Sequence, residues 1–174
     1  MTAGGADEVV RHALAHADAL YNFAWWLARD PVEAEDLVQE TYARALGAAR
    51  HFEPGSNLRA WLFRILRNAF IDRRRRSQRE VSAPHDEELD AGGESQASGT
   101  GELRLDQIRA LVAEDVAAAL RALPESFRTV VLLDLEGMTE AEVASVLGCA
   151  KGTVKSRLSR ARAALRERLA AHRP

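Results

Sequence analysis

One cysteine in 174 residues, Cys149, leaves the chain without a disulfide of its own and without a second thiolate for a zinc site. Its stability must come from packing, and the composition suits a reducing compartment. No apolar run approaches the roughly 20 residues needed to cross a bilayer. Residues 1–7 carry neither the basic nor the apolar stretch of an export signal, so no membrane insertion and a cytoplasmic location are expected. His12 and His16 share a helix face but have no third ligand, so neither a metal nor any other cofactor is expected. No catalytic residue is assigned. Alternating strand patterns and internal repeats are absent as well.

What the chain does have is an apolar fraction of 47% and a charged fraction of 29%, the balance of a globular protein with a real core. The net charge of −2 hides three blocks. Residues 64–79 hold seven arginines against Asp72, a net +6. Residues 80–106 hold eight acids against Arg104, a net −7, and residues 151–168 hold seven basic residues against Glu167, again +6. Clustered Lys and Arg are the electrostatic footprint of polyanion binding, so two basic segments around an acidic one point to two nucleic-acid contacts and a tether. The plainer alternative is two solvated helix faces.

Between Ser82 and Gly101 the sequence is rich in Gly, Ser and acids and nearly free of large apolar residues, the composition of a flexible linker. Helical periodicity fills both flanks, which predicts an all-α protein of two small helical domains: a bundle over 8–79, a linker over 80–107, and a second domain over 108–172. Asp30 before Pro31 predicts an N-cap followed by a first-turn proline. Ala34, Leu37, Val38, Thr41, Tyr42, Ala45 and Leu46 then repeat at three-and-four spacing, with Glu33, Asp36, Glu40 and Arg44 on another face. After the turn Pro54-Gly55-Ser56, the positions Leu58, Trp61, Leu62, Ile65 and Ala69 mark a buried stripe that runs into the arginine block. Residues 9–28 read as one more helix of the bundle. Trp25 and Trp26 cannot both face inward on it, which leaves one of them for an interface.

In the second half a helix over 112–123 stops at Pro124, and another runs from Glu125 to about Leu135. Thr139 and Glu142 have the form of a capping box. A short helix to Leu147, the break Gly148-Cys149-Ala150, and a helix with Val154, Leu158, Ala161 and Leu165 on one stripe complete a helix-turn-helix. Such a motif lays its second helix in the major groove. Lys151, Thr153, Lys155, Ser156, Arg157, Ser159 and Arg160 supply the side-chain types that base edges and phosphates take.

Asp36-Leu37-Val38-Gln39-Glu40-Thr41-Tyr42, Trp61-Leu62-Phe63-Arg64-Ile65 with Asn68 and Asp72, and Gly152-Thr153-Val154-Lys155-Ser156-Arg157-Leu158 with Arg160-Ala161-Arg162 together resemble extracytoplasmic-function sigma factors of the sigma-70 family. The resemblance covers nearly everything outside the linker and rests on the order of the motifs. It implies a transcription initiation factor that performs no chemistry itself. It further implies that Asp36, Gln39 and Glu40 dock on the coiled-coil clamp of core RNA polymerase. Arg64, Arg67, Asn68, Asp72 and Arg73 to Arg76 (Arg73, Arg74, Arg75, Arg76), with the loop 52–57, would open and read the minus-10 element. The helix-turn-helix would read the minus-35 element of promoter DNA, and an anti-sigma factor would cover the polymerase-binding surfaces. Ala150 departs from the pattern: similar proteins often carry a capping residue there, whose lack costs the helix up to about 1 kcal/mol.

Independently of the family, Asn68 and Asp72 lie one turn apart on a helix, where both can meet an extruded base. A helix-turn-helix regulator that does not bind core polymerase explains the C-terminal half but leaves the acidic face and the arginine helix without a role. A sigma mimic that binds no DNA leaves the basic recognition helix without one.

Overall fold

The computed structural model describes residues 3–80 and 113–170, and the expected linker over 80–107 lies outside them except for Glu80, which ends a helix. Among the described residues every regular element is helical. These are α1 (Ala3–His12), α2 (Ala17–Ala28), α3 (Pro31–Ala48), α4 (Leu58–Glu80), α5 (113–121), α6 (Glu125–Leu135), α7 (Glu140–Leu147) and α8 (Lys151–Ala170). Among the described residues, backbone proximity groups 3–80 with 132–154 as one compact unit, and 113–131 with 155–170 as a second.

In the first unit α3 packs against α2 and α4. The core consists of Leu20, Phe23 and Ala24 from α2, Ala34, Leu37, Thr41 and Ala45 from α3, and Leu62, Phe63, Leu66 and Ala69 from α4, closed by Val9 of α1. Phe23 and Phe63 meet with ring centroids 5.2 Å apart. Thr41 is polar and fully buried, and its hydroxyl donates to the Leu37 carbonyl at 2.7 Å, so no buried group is left unsatisfied there. In the second unit Ala119, Leu120, Leu123, Val130, Val131, Leu158 and Ala161 are buried.

The helix ends follow the capping chemistry. Asp30 is extended and accepts from the Glu33 amide at 2.7 Å, with Pro31 in the first turn. Thr139 and Glu142 form the reciprocal capping box. Gly148 ends α7 at φ +64°, a left-handed conformation that costs other residues about 1 kcal/mol.

Three details differ from the sequence reading. Residues 9–28 are not one helix: a 3-10 turn over Ala13–His16 separates α1 from α2. Leu46, assigned to the packed stripe of α3, is 55% exposed, while Val38 and Tyr42 are only half-buried. In α4, Leu62 and Ala69 of the expected stripe are fully buried, but Trp61 and Ile65 are only half-buried, and Phe63 and Leu66, outside that stripe, are fully inside as well. Helix α4 meets α2, α3 and α7, so its apolar arc is wider than the single stripe that one neighbour would require.

Candidate nucleic-acid interface

The arginine block forms the C-terminal two-thirds of α4, which continues as a regular helix to Glu80. Because arginine disfavours neither the helix nor solvent, the run can leave the core without ending the helix. Arg64, Asn68, Arg74, Arg75 and Arg76 are exposed, whereas Arg67, Asp72 and Arg73 are half-buried.

Arg73 and Asp72 face α3 rather than water alone. Arg44 Nη1 donates to Asp72 at 2.9 Å and its Nη2 pairs with Glu40 at 2.6 Å. Arg73 Nε donates to the same Glu40 carboxylate at 2.6 Å, and its Nη2 donates to the Asp36 carbonyl at 3.1 Å. Two acids and two arginines thus form one network across the α3–α4 seam. Asn68 and Asp72 do share a face, but the Asp72 carboxylate is engaged by Arg44, which leaves Asn68 as the more available of the two. Of the residues assigned to polymerase docking, Asp36 and Gln39 are exposed on α3 and Glu40 is partly withdrawn into the network.

Other assignments resolve as follows. Trp61 packs against Phe52 at 5.1 Å, which makes it a scaffold for the 52–57 loop. Trp25 and Trp26 stack edge to face at 5.3 Å near the surface and neither is buried. Asn57 Oδ1 accepts from the Ala60 amide at 3.0 Å and so caps α4. Within the first unit the Asn57 amide also pairs with Glu142, and Arg59 with Glu136. Arg44–Glu40 is an i,i+4 pair within α3, whereas Arg44–Asp72 and Arg73–Glu40 cross between helices, where no single-helix spacing announces them.

In the helix-turn-helix, α8 begins at Lys151, and the Ala150 carbonyl accepts from the Thr153 and Val154 amides. Val154, Leu158 and Ala161 are buried. Lys151, Lys155, Ser156, Ser159 and Arg160 are exposed, with Thr153 and Arg157 half-buried at the flank. Lys151 stands 3.9 Å from Glu140, a long and largely solvated pair. Cys149 is half-buried in the turn.

Burial pushes the Glu40 carboxyl up, but the hydrogen bonds from Arg73 and Arg44 outweigh it and hold it below the ordinary glutamate value. The Thr139 amide and hydroxyl hold Glu142 low as well. Burial, with help from Arg59 and His12, lowers His16. A lowered histidine means that the unfolded chain takes the proton first, so stability falls as pH drops below about 6.5. Lowered carboxylates contribute stability above about 4.5 and lose it as pH falls through their folded values. Thermal unfolding between about pH 7.5 and about pH 3 should therefore show two successive declines. Glu40→Gln should shrink the lower decline alone, and an unchanged lower decline contradicts the assignment.

Among the described residues no group of His, Cys, Asp or Glu could hold a metal ion, and no helix is long and apolar enough to cross a membrane. Known families match both halves of the chain: Sigma-70 region 2 over residues 13–80 and Sigma-70, region 4 over residues 113–165. The ECF RNA polymerase sigma factor EcfG of Rhodopseudomonas palustris is 40% identical over 166 residues, covering 91% of this chain and 83% of that protein. The ECF RNA polymerase sigma factor SigE of Mycolicibacterium smegmatis is 38% identical over 170 residues, which is 95% of this chain but 62% of the relative. Among solved structures, the sigma factor RpoE in complex with the anti-sigma factor NepR from Bartonella quintana aligns with a TM-score of 0.74 at 37% identity. That alignment covers 96% of this chain and 99% of the other.

Proposed function

Since the chain belongs to the ECF RNA polymerase sigma factors of the sigma-70 family, we propose that it binds core RNA polymerase and directs it to specific promoters in the cytoplasm. The observation that carries this reading is the combination, in one chain and in this order, of a region 2 match bearing an exposed acidic face and a basic helix, and a region 4 match bearing a capped helix-turn-helix. A simple helix-turn-helix regulator would need only the second of these.

On this reading residues 8–79 are the unit that docks on polymerase and reads the minus-10 element, 80–107 tether it, and 108–172 read the minus-35 element. Asp36 and Gln39, with Glu40 behind them, offer the acidic and amide surface to the polymerase clamp. Arg64, Arg67, Asn68 and Arg73 to Arg76 hold the minus-10 strand, with Asp72 kept in place by Arg44. Lys151, Thr153, Lys155, Ser156, Arg157, Ser159 and Arg160 enter the groove or grip its edges. The protein catalyses no reaction, and nucleotide addition belongs to the polymerase. A dedicated anti-sigma protein is the fitting regulator, because the structural relative from Bartonella is a sigma factor bound to one.

Copurification tests the reading. Tagged protein incubated with core polymerase should elute as a stoichiometric complex and support initiation from a subset of genomic promoters in a run-off assay. Free DNA binding without polymerase association would favour the simple regulator instead.

A further inference from the structure

Glu40 and Arg73 are partners in the folded protein, yet on the proposed function one belongs to the polymerase face and the other to the DNA grip. Resting on that reading, we propose that the Glu40–Arg73 ion pair is a latch that couples polymerase docking to promoter binding. In the free protein Arg73 is held against α3 by two bonds, to the Glu40 carboxylate at 2.6 Å and to the Asp36 carbonyl at 3.1 Å. A cationic surface that docks on α3 competes for Glu40 and releases Arg73 toward DNA phosphate.

The geometry favours exchange over permanence. Both side chains reach the surface, at 29% and 24% exposure, so the pair sits where solvated ion pairs are weak. Phosphate is the competing acceptor for a guanidinium, able to take two parallel hydrogen bonds where Glu40 takes one from Arg73. Arg44 keeps its bond to Glu40 after Arg73 leaves, so the half-buried carboxylate retains a partner. Arg44 also neutralises Asp72, which would otherwise repel the phosphates beside Arg73. The coupling is reciprocal: DNA that captures Arg73 leaves Glu40 more available to polymerase.

The test uses the full-length protein and a fluorescein-labelled DNA duplex of arbitrary sequence, titrated without polymerase across a salt series. Glu40→Gln should raise duplex affinity about threefold at low salt and steepen the salt dependence by about one unit, the mark of one added phosphate contact. The gain should vanish in Glu40→Gln/Arg73→Ala. Glu35→Gln, an exposed acid on the same helix, removes equal charge without touching Arg73 and should leave the salt slope unchanged. A gain that survives Arg73→Ala, or that Glu35→Gln reproduces in full, overturns the latch in favour of a general charge effect. Should Glu40→Gln melt early, Glu40→Asp withdraws the carboxylate from Arg73 at constant charge and carries the same expectation. Core polymerase affinity is measured in parallel: if Glu40→Gln leaves it unchanged, the polymerase role of Glu40 fails, whereas unchanged duplex affinity defeats the latch and leaves that role standing.

Discussion

Asp36→Arg combined with Gln39→Ala should lower affinity for core RNA polymerase by about a hundredfold or more, because a like charge forced into a complementary interface costs several kcal/mol. Folding should be spared. Both side chains are exposed, and Asp36 joins the α3–α4 network only through its backbone carbonyl, which the substitution keeps. Reversing Glu40 would be a poorer test, since it also strips partners from Arg44 and Arg73 and confuses a lost interface with a disturbed seam. Titration of labelled core polymerase, with thermal unfolding as the control, decides the matter. Affinity within threefold of the parent, at an unchanged melting temperature, would remove this face from the docking surface.

The sequence shows why those two side chains are available, and the i,i+4 spacing offers Arg44 to Glu40, but it could not show that Arg73 also holds Glu40. Positions on α3 follow from a single-helix period: with Ala34, Leu37, Thr41 and Ala45 inside, Asp36 and Gln39 must be outside. Caps are equally local, which is why Asp30 and the Thr139–Glu142 box are legible from four consecutive residues. The pairing of Arg73 with Glu40 spans 33 positions and depends on how α4 lies along α3, a matter of tertiary packing that no local pattern encodes. The same limit explains α4 itself. A stripe fitted for one neighbour includes Trp61 and Ile65, whereas a helix packed by several neighbours leaves those two half-buried and buries Phe63 and Leu66. The break between α1 and α2 has no glycine or proline to announce it, and Arg29, at φ +59°, closes α2 in a conformation that sequence would give to glycine.

Arg157→Ala should cost about 1 to 3 kcal/mol in holoenzyme binding to a cognate minus-35 sequence and flatten its preference over a scrambled one. Arg75→Ala/Arg76→Ala should instead weaken both promoters alike and lower the salt slope by about one unit for each lost phosphate contact. The difference follows from where the arginines stand. Arg157 is in the second turn of α8, toward the N-terminal end of a recognition helix, where base contacts are made, and it is half-buried beside the stripe of Val154 and Leu158. A half-buried side chain has less rotamer freedom to lose when its guanidinium engages a base edge. Arg75 and Arg76 are exposed on consecutive positions of α4, pointing about 100° apart around the helix. Two flexible arms aimed in different directions are suited to follow a backbone and badly suited to read one base pair. Holoenzyme binding to cognate and scrambled promoters across a salt series separates the two roles. Equal weakening of both promoters by Arg157→Ala, together with a change of preference in Arg75→Ala/Arg76→Ala, would exchange reader and clamp.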